Sequence, residues 1–490
     1  MGSFYVENFG CRATQADGAA IERQFAERGL NRSASAKSAK IVVLNTCTVT
    51  AAADQDARAA IRRIHRENPD CQIIVTGCYA QRAPQEIAAL PGVSDVIGNS
   101  HKHVLADLAI RPAAAKAYRG TNSAESNART FVPVSELFAS STENRELGTE
   151  NSIFVSDIFA HTELLAAPVF DAANERTRPN LKVQDGCDNR CSFCIIPSVR
   201  GHSRSLKLDQ VIREVNGLVE AGYREVVISG INLGRWGRDL AIVDRHSMIA
   251  CGTGASQETA TKDQLAFVDL IHTILNKTSL EKLRISSVEP MDWSDQLIRL
   301  VAESPRIAKH AHVPMQSGSD RVLRLMHRKY RPWHYREKVL KIRQAMPTAA
   351  IGADVMVGFP GETDADFEQT RGMVEELPFT YLHVFTYSAR PGTAAAAMAN
   401  QVPVQIARER NRVLRELASE KKLSFMKSFI GRSVDAITLN VSNEESTEAL
   451  TDNYLKVRIE GECPSNQWIC PQITGVRDGA LQGRLPARLA

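Results

Sequence analysis

Three cysteines stand within eight residues, as Cys187-Asp188-Asn189-Arg190-Cys191-Ser192-Phe193-Cys194. Three thiolates on one short C-x3-C-x2-C loop can hold three corners of a cubane iron–sulfur cluster and leave the fourth iron open to a small ligand. A closed electron carrier needs four cysteines, and a structural zinc site also closes with four ligands. A triad with one vacancy points to chemistry on a bound ligand. The bland reading is that these are unrelated thiols, with Cys194 a small packing residue before Ile195 and Ile196. Against it stand Gly186 before the loop, Phe193 beside the last cysteine and the extended segment Leu181–Gln184 leading in.

A second set is spread over the first 80 or so residues: Gly10-Cys11, Asn45-Thr46-Cys47 and Gly77-Cys78. Each follows a short apolar run: Phe4-Tyr5-Val6, Ile41–Leu44 and Gln72–Val75. If those runs are strands of one parallel sheet, the loops after them emerge on one edge, where ligands bind. The three cysteines then either meet as a second three-ligand site or pack at strand ends. Cys71 precedes its strand and reads as packing.

The elements that must position these residues follow from periodicity. Residues 1–118 alternate strand and helix, a parallel α/β unit. Residues 119–178 are polar and aperiodic, a linker or insertion. Over 179–422 six strand candidates recur: Leu181–Gln184, Glu225–Ser229, Lys282–Ser286, His310–Val313, Ile351–Val357 and Tyr381–Thr386. With helices between them they suggest a partial (β/α)6 barrel whose ligands sit at the strands' C-terminal ends. Residues 235–262 form a second insertion, carrying the lone Cys251. Residues 423–490 read as all-β, with Val434–Leu439, Tyr454–Ile459 and Gln472–Val476 as strands of a small five-stranded barrel.

The 490 residues carry a formal net charge of only +4, so no global field demands a nucleic acid. Two local basic stretches are candidates for phosphate contact: Arg321–Arg343, and Arg190, Arg200, Arg204, Lys207 and Arg213. No long apolar run predicts a membrane span, and the first residues lack the pattern of a signal peptide. Ten sparse cysteines then fit a reducing cytoplasm.

The motifs together resemble the radical S-adenosylmethionine (SAM) methylthiotransferases. Carrying the resemblance are Gln184-Asp185-Gly186-Cys187, Cys194-Ile195-Ile196-Pro197-Ser198-Val199-Arg200-Gly201, His312-Val313-Pro314-Met315-Gln316-Ser317-Gly318-Ser319, Gly358-Phe359-Pro360-Gly361-Glu362-Thr363 and the three N-terminal cysteine settings. Thr451-Asp452-Asn453-Tyr454 lies in a segment similar to the TRAM domain that ends these enzymes. Arg176-Thr177-Arg178 and Arg284-Ile285-Ser286-Ser287-Val288-Glu289-Pro290 look most like the branch acting on N6-threonylcarbamoyladenosine in tRNA, called MtaB-type. Other branches act on isopentenyladenosine in tRNA or on a ribosomal-protein aspartate.

The resemblance implies two 4Fe–4S clusters, one on Cys187, Cys191 and Cys194 and one on Cys11, Cys47 and Cys78. SAM would bind the first and be cleaved by one electron to a 5′-deoxyadenosyl radical, which takes hydrogen from C2 of the target adenosine. The second would hold a sulfur species, methylated by another SAM and delivered to that carbon. Phe193, Ser229, Asn232, Ser287, Glu289, Gln316 and Arg390 are the candidates for gripping SAM. The implied partners are a tRNA anticodon stem-loop, an electron donor such as flavodoxin or ferredoxin, and a sulfur donor, with no membrane. A non-catalytic iron–sulfur protein that binds RNA or carries electrons is the rival from another class, and it would not cleave SAM.

Overall fold

The computed structural model describes residues 2–111, 152–161, 164, 177–240, 265–443 and 446–485. The expected segment 119–178 lies mostly outside them, and so do most of the 235–262 insertion and its Cys251.

The first sheet contains β1 (Ser3–Asn8), β2 (Asn31–Arg32), β3 (Ile41–Thr46), β4 (Gln72–Gly77), β5 (Val93–Gly98) and β6 (Ser152–Phe154). Their order is β2-β1-β3-β4-β5-β6, and every pairing is parallel. Central β3 is buried along its whole length, which is why it reads as an unbroken apolar run. Helix Arg12–Glu27 lays Ile21 and Phe25 against Phe4 and Val6 on one face, and helix Ala51–Glu67 lays Ile61 and Ile64 against Val42 and Leu44 on the other. Strand β5 was not expected from the sequence, because Asp95 interrupts its apolar pattern. That carboxylate is buried and accepts from Gln72 Nε2 at 2.8 Å.

The central unit holds β7 (Asn180–Asp185), β8 (Arg204–Ser205), β9 (Glu225–Gly230), β10 (Lys282–Ile285), β11 (His310–His312), β12 (Ala350–Val357) and β13 (Tyr381–Thr386). Sheets β10-β9-β7-β8 and β11-β12-β13 are joined by parallel bridges Leu283–Ile307 and Ser287–His312. The six expected strands therefore make an open parallel barrel, with β8 added antiparallel to β7. Strand residues alternate between its two faces. Leu181, Val183, Leu283, Ile285, Ala311 and Ile351 pack outward in one core with the helices. Lys182, Arg284, His310, His312, Asp354, Tyr381 and His383 occupy the alternate positions, so the lumen is polar.

The C-terminal unit has β14 (Ala436–Asn443), β15 (Ser446–Thr451), β16 (Lys456–Glu460), β17 (Trp468–Ile469), β18 (Gln472–Arg477) and β19 (Ala480–Arg484), in order β17-β14-β15-β16-β19-β18. A Ser433–Gln472 bridge curls the sheet back on itself, as a TRAM-like barrel requires. It has six strands where five were expected. Strands β15 and β19 are rich in Thr, Gln and Gly, which hid them from an apolar pattern. Among the described residues no helix is long and apolar enough to cross a membrane.

A buried ionic cluster joins the first two units. Asp17, on helix Arg12–Glu27, accepts from Lys102 Nζ at 3.0 Å, Arg200 Nη2 at 3.0 Å and Lys182 Nζ. Arg200 and Lys182 also hold Asp185, at 2.9 Å and 2.8 Å. All five side chains are buried. Burial alone would raise the Asp17 carboxyl, but the three cations outweigh it and lower its pKa from 3.8 to about 2. Removing one partner of such a cluster strands buried charge. Asp17→Ala is therefore expected to cost about 3–5 kcal/mol, read as a lowered midpoint of thermal unfolding. The folded-state pKa lies below the unfolded one. The wild-type contribution is thus complete above about pH 4 and is lost as pH falls toward 2, so acid should narrow the gap between the two proteins.

Candidate functional site

The Cys187–Cys194 loop leaves the C-terminal end of β7 and is pinned from several sides. The Cys187 amide donates to the Gly201 carbonyl at 3.1 Å, and the Cys194 amide to the Cys191 carbonyl at 3.1 Å. Ser192 anchors the loop's middle, with its amide on the Met326 carbonyl at 3.2 Å and its Oγ on the Leu325 carbonyl at 2.7 Å. Phe193 meets Phe359 edge to face at 6.5 Å. The sulfurs have donors of their own. Asn189 N lies 3.4 Å from Cys187 Sγ, Asn232 Nδ2 lies 3.6 Å from the same sulfur, and Arg328 Nη1 lies 3.3 Å from Cys191 Sγ. Burial pushes the Cys194 thiol up to about 12, with Cys191 and Cys187 adding to the rise. Such a group becomes a thiolate at neutral pH only when a metal displaces its proton.

The N-terminal cysteines converge as the sheet topology requires. Cys11 caps helix Arg12–Glu27, Cys47 stands three residues ahead of the Thr50 cap of helix Ala51–Glu67, and Cys78 is the first residue of helix Cys78–Arg82. The Gly-Cys pairs have a steric cause. Gly10 has φ +98°, and a Cβ there would fall 2.5 Å from Cys47 Cβ. Gly77 has φ +99°, and a Cβ there would fall 2.3 Å from the Thr46 carbonyl oxygen. Burial, then the neighbouring Cys78 and, more weakly, Cys11, raise the Cys47 thiol to about 11.

The two sets adjoin. Cys78 packs in one apolar cluster with Ile195, Val199 and Ile196, the residues that follow Cys194. Asn99 Nδ2 donates to the Val199 carbonyl at 2.7 Å and reaches Cys78 Sγ at 3.6 Å.

The expected SAM contacts divide. Ser229 Oγ, Asn232 Oδ1 and Gln316 Oε1 are buried at the C-terminal ends of the barrel strands without hydrogen-bond partners. Unpaired buried polar atoms are costly, and a ligand rich in amino, carboxylate and hydroxyl groups fits them. Ser287 lies beside them, bridged to His312. Glu289 is engaged by Arg328. Arg390 does not join this group: it is buried against Asp54 and Thr48 Oγ1, and so braces the Cys47 loop.

Residues 3–98 match the family described as Uncharacterized protein family UPF0004, and residues 181–374 match the Radical SAM superfamily. The chain is 33% identical over 466 residues to the threonylcarbamoyladenosine tRNA methylthiotransferase MtaB of Bacillus subtilis (strain 168), spanning 94% of this chain and 91% of that protein. The chain belongs to the radical SAM methylthiotransferase family. It is also 28% identical to the tRNA-2-methylthio-N(6)-dimethylallyladenosine synthase of Methylacidiphilum infernorum (isolate V4), spanning 98% of this chain and 97% of that one. Among solved structures, the radical SAM methyltransferase TsrM of Kitasatospora setae, with cobalamin and a 4Fe–4S cluster bound, shares the fold. Its TM-score is 0.51 at 14% identity, over 81% of this chain and 74% of TsrM. The protein is thus a transferase of the radical SAM class, most similar to the MtaB type.

The basic stretches of this methylthiotransferase are mostly spent internally. Arg321 pairs with Asp366, Arg324 and Arg331 with Asp320, Arg336 with Glu376, and Lys341 with Asp295 and Glu337. Arg343 donates to backbone carbonyls of Pro347, Ala349 and Pro378. Lys329, Arg190 and Lys207 stay exposed and have no ion pair among the described residues. Sequence reasoning missed the place of Arg328, which read as part of the run. The hint available was its position next to Tyr330, over whose ring it lies at 5.0 Å. A buried guanidinium on a ligand sulfur favours added negative charge on the metal group. Arg328→Met is expected to shift the reduction potential of a cluster on this loop to a more negative value, measured by redox titration followed by electron paramagnetic resonance.

Proposed function

We propose that this methylthiotransferase inserts a methylthio group at C2 of N6-threonylcarbamoyladenosine beside the anticodon of tRNA, using two 4Fe–4S clusters and two molecules of SAM. The observation that carries this is the junction of two three-cysteine groups through Cys78 and the Ile195–Val199 turn. Cys187, Cys191 and Cys194 would hold one cluster, and Cys11, Cys47 and Cys78 the other. When bound, the clusters and SAM supply the radical and the sulfur that no side chain can supply.

The chain's own residues have definable tasks. Asn232 and Arg328 orient and stabilise the first thiolate group through their contacts with Cys187 and Cys191. Ser229, Asn232 and Gln316 offer buried polar atoms to the amino-acid and ribose portions of SAM. Ile195, Ile196 and Val199 keep the wall between the two groups apolar, which excludes water from a carbon radical. The contact of Cys78 with the residues after Cys194 favours sulfur delivery without a free-diffusion step after hydrogen removal. Lys329, Arg190 and Lys207 remain as phosphate contacts for the stem-loop. An electron donor and a sulfur donor complete the partners.

Two variants separate the roles. Cys187→Ala is expected to abolish 5′-deoxyadenosine formation. Cys47→Ala is expected to retain SAM cleavage and lose the methylthio product. Both are read by chromatography of anaerobic reactions. Mass spectrometry of tRNA nucleosides from a strain lacking the protein should show 2-methylthio-N6-threonylcarbamoyladenosine replaced by its unthiolated parent. Loss of the isopentenyladenosine derivative instead would reassign the substrate.

A further inference from the structure

The barrel lumen holds polar side chains that neither cysteine group uses. His312, at the end of β11, is 8% exposed, and neither Nδ1 nor Nε2 has a hydrogen-bond partner. Its Nε2 stands 3.3 Å from Asp354 Oδ1 on β12. Its ring lies 5.6 Å from that of His383 on β13. One ligating atom each from His312, Asp354 and His383 falls within 4.8 Å of the others. Strand register puts Asp354 opposite His383, while His312, opposite Gly352, is one inward-facing step nearer the strands' N-terminal ends. Gln316, four residues beyond His312 toward the barrel mouth, carries one of the orphaned oxygens. The trio therefore lies on strands β11–β13, close to Gln316 and away from the cysteine loop on β7. His383 and Phe385 on the edge strand are exposed, so this part of the lumen is open space and not packed core.

Side chains pack beneath the trio. His310 Nε2 and Tyr381 Oη are hydrogen-bonded at 2.6 Å, and the ring of Tyr454, from the C-terminal sheet, lies 5.0 Å from His310. A group entering from the mouth thus ends against His312, Asp354 and His383. Two imidazoles can donate N–H to a carboxylate, and Asp354 can accept from a hydroxyl or an amide N–H. An apolar branch in the same space would offer none of the three a hydrogen bond.

We infer that His312, Asp354 and His383 form the specificity pocket for the N6 substituent of the target adenosine, the imidazoles taking its carboxylate and Asp354 its hydroxyl or ureido N–H. This rests on the threonylcarbamoyladenosine assignment above. It explains how one scaffold can separate an anionic, hydroxylated substituent from a prenyl group: sites built to hydrogen-bond a substrate group reject analogues that lack it.

The test uses the cluster-reconstituted full chain and one tRNA in two forms, bearing either N6-threonylcarbamoyladenosine or N6-isopentenyladenosine. Because His383 is exposed, His383→Leu should fold, and iron content checks that it does. The expected result is a fall of about 10- to 100-fold in kcat/KM on the first tRNA, carried mainly by KM, with discrimination against the second tRNA reduced. His383→Gln, which restores a donor, should recover part of the loss. Wild-type kcat/KM in His383→Leu, with an active wild-type control, overturns the pocket alone. A wild-type enzyme inactive on the threonylcarbamoyl tRNA overturns the substrate assignment and the pocket with it. A non-iron metal bound in wild type and lost in His383→Leu also overturns the pocket, because it makes the trio a cation site.

Discussion

The structure depends on a five-membered buried charge cluster. Asp17 and Asp185 carry two negative charges, and Lys102, Lys182 and Arg200 carry three positive ones. Asp17 with Lys102 and Asp185 with Lys182 and Arg200 pair inside their own units, and the contacts of Lys182 and Arg200 with Asp17 complete the cluster only when the units dock. Buried ions are poor sources of net stability but strict about geometry, since a shifted interface leaves them unpaired. Each cysteine set has a short tether to the cluster. Asp17 is six residues from Cys11, Asp185 is two from Cys187, and Arg200 is six from Cys194. Lys102 also donates to Asn45, two residues before Cys47. The network thus sets the distance between the two thiol groups as a by-product of satisfying its own charges.

Strand ends do the remaining positioning. The N-terminal cysteines begin or precede helices on one sheet edge, and glycine at 10 and 77 lets the backbone come close to Cys47 and to Thr46. The radical-forming loop takes the equivalent place on the barrel. Two sheets of different curvature therefore present the same kind of edge to a common junction. The contacts of Arg390 with Asp54 and of Ser388 Oγ with the Ala51 amide fasten it from the far side of the barrel.

Much of this could be read from the chain itself. The C-x3-C-x2-C spacing, the glycine before two of the N-terminal cysteines and the six apolar runs of the barrel are local patterns, and each lies where it was expected. Features written across the chain were not legible. Asp17 in a helix and Lys182 in a strand look like ordinary surface residues until the fold puts them together. Arg321–Arg343 reads as an open basic face because its acidic partners, Asp366, Glu376 and Asp295, lie outside the run. The polar lumen was half visible: Lys182 and Gln184 alternate with Leu181 and Val183, a pattern at odds with a strand packed on both faces. Strands β5, β15 and β19 were missed because buried polar residues replaced the apolar signal.

The C-terminal sheet is more than an appended module. Its Thr451–Tyr454 turn stops the lower mouth of the barrel. Arg284 donates to the carbonyls of Thr451 and Asp452, and the Tyr454 hydroxyl accepts from Arg12 at 3.0 Å. Arg12 adjoins Cys11, so one aromatic side chain touches the lower end of the barrel lumen and the start of helix Arg12–Glu27 together. Deleting the last unit would uncover His310 and Arg284 at the lower end of the barrel and free the first residue of the helix that Cys11 caps.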